Sequence, residues 1–182
     1  MLQNLNELIA DLETRQCAIV DPAYECDRLL REAKQRNYTI VAVLLTHTHH
    51  DHTDGAEEIV QKTGAALYVG AGEVDAAQQA APSAKITPLV GGEKISIGQS
   101  EIRTLATPGH TRAGISYLAD EAVMTGDTLF VGGCGRTDFP GGDPRVLWQS
   151  LQKLAALPEE TKVYPGHDYG RTPTSTIAWE KL

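Results

Sequence analysis

Cysteine is scarce: three in 182 residues, at positions 17, 26 and 134, with no C-x-x-C spacing among them. An odd, scattered set does not make a disulfide framework, and thiols kept reduced point to the cytoplasm. Long apolar runs are missing too. No stretch reaches the eighteen or so residues of a membrane helix, and the N-terminus lacks a basic-then-apolar signal peptide. Positive charge is in deficit, with 16 Lys and Arg against 24 Asp and Glu and a net charge of −8. Such a surface repels nucleic acid and anionic membrane, so neither is an expected partner. Linker-like composition, low-complexity tracts and internal repeats are also lacking, which predicts one domain over residues 1–182. A composition 41% hydrophobic and 22% charged is that of a folded chain with a sizeable core.

What the sequence does have is a concentration of histidine. It contains six, and four fall between positions 47 and 52. They interrupt an otherwise regular pattern. Strands are predicted over residues 6–10, 16–20 and 40–45, with an amphipathic helix over 27–36 that gathers Leu29, Leu30 and Ala33 on one face. Helical patterning resumes over 56–62 and 72–81, around a strand at 66–69. From residue 86 the chain reads as short strands (86–89, 94–97, 102–106, 114–118 and 122–125) separated by turn residues. A Gly-rich loop over 126–142 leads into a helix capped by Asp143 and opened by Pro144. Val146, Leu147, Leu151, Leu154 and Leu157 form its buried stripe, and a last strand covers 162–164. Two sheets packed together with helices outside is the simplest way to bury these faces.

The chemistry-bearing residues all follow strands. His47, His49, Asp51 and His52 form an H-x-H-x-D-H pattern just after the apolar run 40–45. Imidazole and carboxylate are the ligand types of first-row divalent metals. In an extended loop alternate residues point the same way, so His47 and His49 can converge on one ion while Asp51 and His52 turn to a second. His110 in TPGHT, Asp127 in TGDT and His167 in YPGHD each follow a further strand. Taken alone, each is an ordinary loop histidine or turn former. Together, the four strand ends assemble a metal centre, and only His50 is left without a role. Other motifs fail. Gly70-Ala71-Gly72 opens like a dinucleotide fingerprint, but Asp75 occupies the third glycine position, and there is neither a G-x-S-x-G elbow nor a Walker loop. Cys134, between Gly133 and Gly135 and with no committed base beside it, reads first as a small packing residue.

HTHHDH, TPGHT, GDT and PGHD, in this order, resemble the metallo-β-lactamase superfamily over residues 46–168. The resemblance implies an α/β fold of αββα type, two mixed sheets with helices outside and metal at one edge. It also implies ligand sets: His47, His49 and His110 for one ion, Asp51, His52 and His167 for a second, with Asp127 bridging. The segment GCGRTDF (133–139), together with His167-Asp168-Tyr169, is similar to the persulfide dioxygenases, which oxidise glutathione persulfide to sulfite with O2 and one Fe(II) per chain. There His47, His110 and Asp127 would be the iron ligands, leaving positions open for O2 and sulfur. His49, Asp51, His52 and His167 would orient ligands and water around them. Asp51, Arg136 and Tyr169 are the expected catalytic residues; the same resemblance places Arg136 and Tyr169 near the substrate, with Arg136 paired either to Asp168 or to a substrate carboxylate.

The alternative is a hydrolase of glyoxalase II type, acting on thioesters with two Zn(II) ions. That family shares GDTLF and the GCGR start but tends to depart from TDF and from Asp168. The resemblance further implies that the stretch from Met1 is a second strand of relatives, their first being short or absent. The fifteen residues after His167 leave no room for the C-terminal helices of glyoxalase II. A small thiol-derived molecule is the expected partner, and a homodimer stays open.

Overall fold

A computed structural model describes residues 4–181. The reading of the chain start rests on residues 1–3 and lies outside the described residues. Two mixed sheets face each other. The first has the order β1-β2-β3-β4-β5, with β1 (Glu7–Ala10), β2 (Gln16–Val20), β3 (Thr39–Leu44), β4 (Ala66–Gly70) and β5 (Ile86–Leu89). β1 runs antiparallel to β2, and the remaining neighbours are parallel. The second sheet contains β6 (Lys94–Ile97), β7 (Ser100–Ala106), β8 (Ile115–Ala119) and β9 (Ala122–Gly126). A hairpin of β10 (Leu129–Phe130) and β11 (Gly133–Cys134) follows in the chain. The second sheet is then completed by β12 (Lys162–Pro165), parallel to β9, and β13 (Ser175–Thr176) at the edge.

The period-two alternation of the strands builds three apolar layers. In β2, Ala18 and Val20 point between the sheets, where they join Ala42, Leu44, Ile97, Ile102, Ile115 and Tyr117. Their neighbours Cys17 and Ile19 point outward to a layer shared with α1 (Cys26–Gln35), α3 (Ala56–Thr63) and α4 (Val74–Ala80). On the far side, α5 (Pro144–Ala155) and α6 (Ile177–Glu180) cover Leu118, Val123 and Val163 with Leu154 and Ile177. This is the expected αββα sandwich. α5 begins as its sequence predicts: the Asp143 carboxylate accepts from the amides of Arg145 and Val146, and Pro144 fills the first turn.

Three details differ from the sequence reading. Residues 50–53 form a helical turn, α2 (His50–Thr53), where an extended loop was expected. Its four residues carry no amphipathic repeat, and the turn is fixed by what Asp51 and His52 reach. The loop 126–142 contains the β10–β11 hairpin, too short to show alternation. Residues 175–180, outside every predicted element, form β13 and α6, held by edge pairing to β12 and by Thr176 capping Trp179.

Candidate metal centre

Six strand ends meet at one edge of the sandwich. β2 delivers Asp21, β3 delivers His47 and His49, β4 delivers Glu73, β7 delivers His110, β9 delivers Asp127 and β12 delivers His167. Gly126, at a φ of 51°, presses against Thr46, and a Cβ there would lie 2.3 Å from the Thr46 hydroxyl. Glycine therefore lets the strand carrying Asp127 sit directly on the strand carrying His47.

The hydrogen-bond network decides which imidazole nitrogens are bare. Asp21 accepts the Thr46 amide at 2.7 Å and the Thr46 hydroxyl at 2.6 Å. That hydroxyl proton being used, His47 Nδ1–H must donate to Thr46 Oγ1 (3.0 Å), so His47 Nε2 carries a lone pair. His110 Nδ1–H donates to the Arg136 carbonyl at 2.7 Å, which likewise bares Nε2. Both bare nitrogens face His49 Nδ1, at 3.1 and 3.0 Å. A single proton on His49 could satisfy only one of them. Three nitrogens converging with at most one proton among them form a site that wants a cation.

A second set lies beside the first. Asp51, His52 and His167 offer ligand atoms within 4.8 Å of one another. His52 Nδ1–H donates to Asp21 at 2.9 Å, leaving His52 Nε2 facing His167 Nε2 at 3.3 Å. Asp127 stands between the two sets. One of its oxygens is 3.3 Å from His52 Nε2, and the other is 3.4 Å from His167 Nε2 and 3.6 Å from His110 Nε2. Asp127 Oδ1 and His167 Nδ1 are buried without a hydrogen-bond partner among the described residues. Asp21, His47 and His52 are also close together, but Asp21 is saturated by three donors and orients the others instead.

Electrostatics matches the donor role of His47 and His49. Burial, followed by the charge of His52, holds His47 well below the ordinary imidazole range, and burial also lowers His49. Neutral imidazole is the metal-binding form. Burial opposes charge on His52 as well, but the Asp21 and Asp127 carboxylates outweigh it and hold its pKa up at about 10. Asp127 is buried, yet its contacts to His167 and His52 keep it ionised far below the usual carboxylate range.

All seven residues expected to hold metal are thus brought together, and His50, which has no assigned role, is exposed at the rim of the cavity above them. A cavity of about 730 Å³ opens over them, walled by Phe130, Cys134, Arg136, Phe139, Pro140 and Tyr169. Two expectations are corrected here. Arg136 does not pair with Asp168, one of the two partners expected for it, the other being a substrate carboxylate. It grips Asp138 through two nitrogens and lies over the Phe139 ring, 4.2 Å from its centroid, because Asp138 is two residues away on the same extended segment. Cys134 is exposed in the cavity wall and is no packing residue, since β11 lies outside the core. Tyr169, half exposed, stacks on His167 at 4.7 Å and 12°.

Two functional residues escaped the sequence reading. Asp21 follows a buried strand just as His47 does, and that signal alone could have found it. Glu73 sits beside the rejected Gly70-Ala71-Gly72 motif. It is buried and accepts from the Thr48 amide (2.7 Å), the Thr48 hydroxyl (2.6 Å), the Thr111 hydroxyl and the Ala113 amide (3.3 Å). One carboxylate thereby ties the His49 loop to the His110 loop.

The sequence model of the metallo-beta-lactamase superfamily matches residues 8–167, and the chain belongs to that superfamily. Among solved structures, ETHE1 from Myxococcus xanthus is similar with a TM-score of 0.86 and 36% identity, over 100% of this chain and 81% of that one. TTHA1623, solved in a di-iron-bound form, has a TM-score of 0.84 and 30% identity, over 99% of this chain and 93% of that one. Among curated proteins, a hydroxyacylglutathione hydrolase from Rhodospirillum rubrum is 41% identical across 91% of this chain, which spans 62% of that protein. The proteins this chain resembles thus include a hydrolase and a protein solved with two irons bound, and the chain carries a histidine- and aspartate-rich metal site of its own. No helix among the described residues is long and apolar enough to cross a membrane.

Proposed function

We propose that this chain is an iron-dependent persulfide dioxygenase acting on glutathione persulfide or a similar small persulfide. One observation carries the reading: the TDF portion of GCGRTDF, where the glyoxalase II pattern diverges, is part of the site. Asp138 fixes Arg136, and Phe139 packs edge-on against His49 at 5.4 Å. The carbonyl of Arg136 orients His110, and Gly135 lets this segment approach within contact of Asp127. The likeness to ETHE1, a persulfide dioxygenase, supports the same reading.

The balanced reaction is RSSH + O2 + H2O → RSH + H2SO3, in which the outer sulfur is oxidised and O2 is reduced. Iron bound by His47, His110 and Asp127 would supply the redox chemistry and open positions for sulfur and O2. The chain's own residues do the rest. Phe130, Phe139 and Tyr169 line the cavity with aromatic surface. Asp51 and His167, 3.5 Å apart, lie where a proton from the persulfide or from water can be held.

Oxygen uptake with glutathione persulfide after Fe(II) loading tests the proposal. The expected result is one sulfite formed per O2 consumed, and absence of uptake by fully iron-loaded protein would reject it. The intact second set of Asp51, His52 and His167 favours one competitor, a thioester hydrolase with two Zn(II). Thioester hydrolysis by the two-zinc form, without oxygen uptake by the iron form, would establish it.

A further inference from the structure

With Arg136 paired to Asp138, Arg112 is a cation beside the metal centre that has no ion-pair partner among the described residues. It lies two residues beyond His110 and is exposed. Its stem is nevertheless held in place. A Cβ on Gly72 would come within 3.3 and 3.4 Å of Arg112 Cγ and Cδ, and one on Gly141 within 3.6 Å of its Cβ and Nε. The two glycines leave a slot through which the guanidinium is presented. In a chain of net charge −8, a seated and unpaired arginine beside the reacting centre is poised for an anion.

The cleft it faces, of about 360 Å³, adjoins the metal cavity: His49 and Pro140 line both. Asp75 and Gln79 line the cleft with it, four residues apart on the exposed face of α4, and Asp75 has no cationic partner among the described residues. One free cation and one free anion, set apart in a cleft adjoining the sulfur-handling cavity, match a ligand carrying both charges on adjacent groups.

We propose that this cleft binds the zwitterionic α-amino-acid head of the thiol carrier, its carboxylate on Arg112 and its ammonium on Asp75. This deepens the proposed function and rests on its thiol-derived substrate, though not on the reaction being an oxygenation. The γ-glutamyl end of glutathione and free cysteine both carry such a head. The head of glutathione lies several bonds from its sulfur, and that of cysteine lies next to it.

Calorimetric titration of the full chain with S-methylglutathione and S-methylcysteine, which form no persulfide, tests the assignment. Arg112→Gln should weaken binding about tenfold, as expected for loss of a charge-assisted contact. That penalty should vanish for the analogue lacking the α-carboxylate. Asp75→Asn should weaken binding several-fold only while the ammonium is present. Preference for S-methylglutathione names a peptide carrier and preference for S-methylcysteine names the free amino acid, and either result supports the head site. No binding of either probe, binding unchanged by Arg112→Gln, or a penalty that persists without the α-carboxylate would each overturn it. Oxygen uptake separates the two claims. Uptake with no Arg112 effect on binding fails the cleft alone, whereas Arg112-dependent binding without uptake fails only the dioxygenase.

Discussion

Asp21 receives the Nδ1 proton of His52 across 2.9 Å, and with that bond it decides which nitrogen His52 turns toward Asp127 and His167. Asp21 itself holds a left-handed backbone, φ 46°, one residue past β2. Asparagine tolerates that conformation and keeps the shape, but it removes the charge that supports the imidazole. Asp21→Asn should lower metal affinity or activity about 10- to 100-fold. Elemental analysis and turnover of the folded variant check this, at a melting temperature that also falls because the new amide faces the donors of Thr46 and His52. Full metal content and full turnover would show that His52 needs no such support.

Glu73 is the corresponding support for the other ligand set. Replacing it with Gln turns one acceptor oxygen into a donor facing Thr48 or Thr111. A donor left unmatched in a buried place costs about 1–3 kcal/mol. The melting temperature should fall, and chelator competition should show metal held about tenfold more weakly, because His49 and His110 lose their common tether. A lower melting temperature with unchanged metal affinity would make Glu73 a residue of stability alone.

The parts legible in the sequence are those fixed by short-range periodicity. Ala18 and Val20 against Cys17 and Ile19, or Leu147 and Leu154 on α5, announce their burial through spacing alone, and Asp143-Pro144 announces a helix start. The metal set was legible because its residue types are rare and each follows a strand. What stayed hidden depends on partners distant in the chain. Asp21 means little without Thr46 and His52, and Glu73 looked like part of a failed motif because Thr48 and Thr111 lie 25 and 38 residues away. For Arg136 the Asp168 alternative looked past a nearer partner, Asp138, two residues along the same segment.

His49 discriminates between the two catalytic readings. It offers Nδ1 to the nitrogens of His47 and His110, as a zinc ligand would. In the proposed iron set of His47, His110 and Asp127 it only lines the site. His49→Ala should therefore leave iron near one per chain, whereas a two-zinc protein should lose part of its zinc. Elemental analysis of the variant purified without added metal gives the answer, and loss of iron would reject the proposed ligand set.

The three thiols should react very unequally. Burial pushes the Cys17 thiol up to about 11, and burial together with the Glu58 charge raises Cys26. Both are inside the core, whereas Cys134 is exposed in the cavity wall. Iodoacetamide at neutral pH should modify Cys134 alone in the folded protein and all three after unfolding. Because the adduct stands in the cavity, turnover should fall in step with labelling, as mass spectrometry and activity measured together would show. Complete labelling of Cys134 with activity intact would move the substrate path away from this wall.

Asp11 ties the two sheets together at the end of β1. It accepts the Thr14 amide (2.7 Å) and hydroxyl (2.6 Å) from its own turn and the Ser100 hydroxyl (2.7 Å) from β7. The Thr14 hydrogen bonds, with Ser100 adding to them, hold its carboxyl far below the ordinary range. Protons therefore bind the unfolded chain, where an aspartate titrates near 3.9, more readily than the folded one. The stabilisation is complete above about pH 5 and is lost as pH falls below about 4 toward the folded value. Asp11→Asn removes that dependence. Urea midpoints of the wild-type chain and this variant should differ by a constant amount from pH 7 to 5 and converge as the pH drops to 3. Because the metal-centre carboxylates are common to both proteins, their own titration cancels in the difference. A gap that stayed constant to pH 3 would mean that the Asp11 charge contributes nothing beyond the shape of its hydrogen bonds.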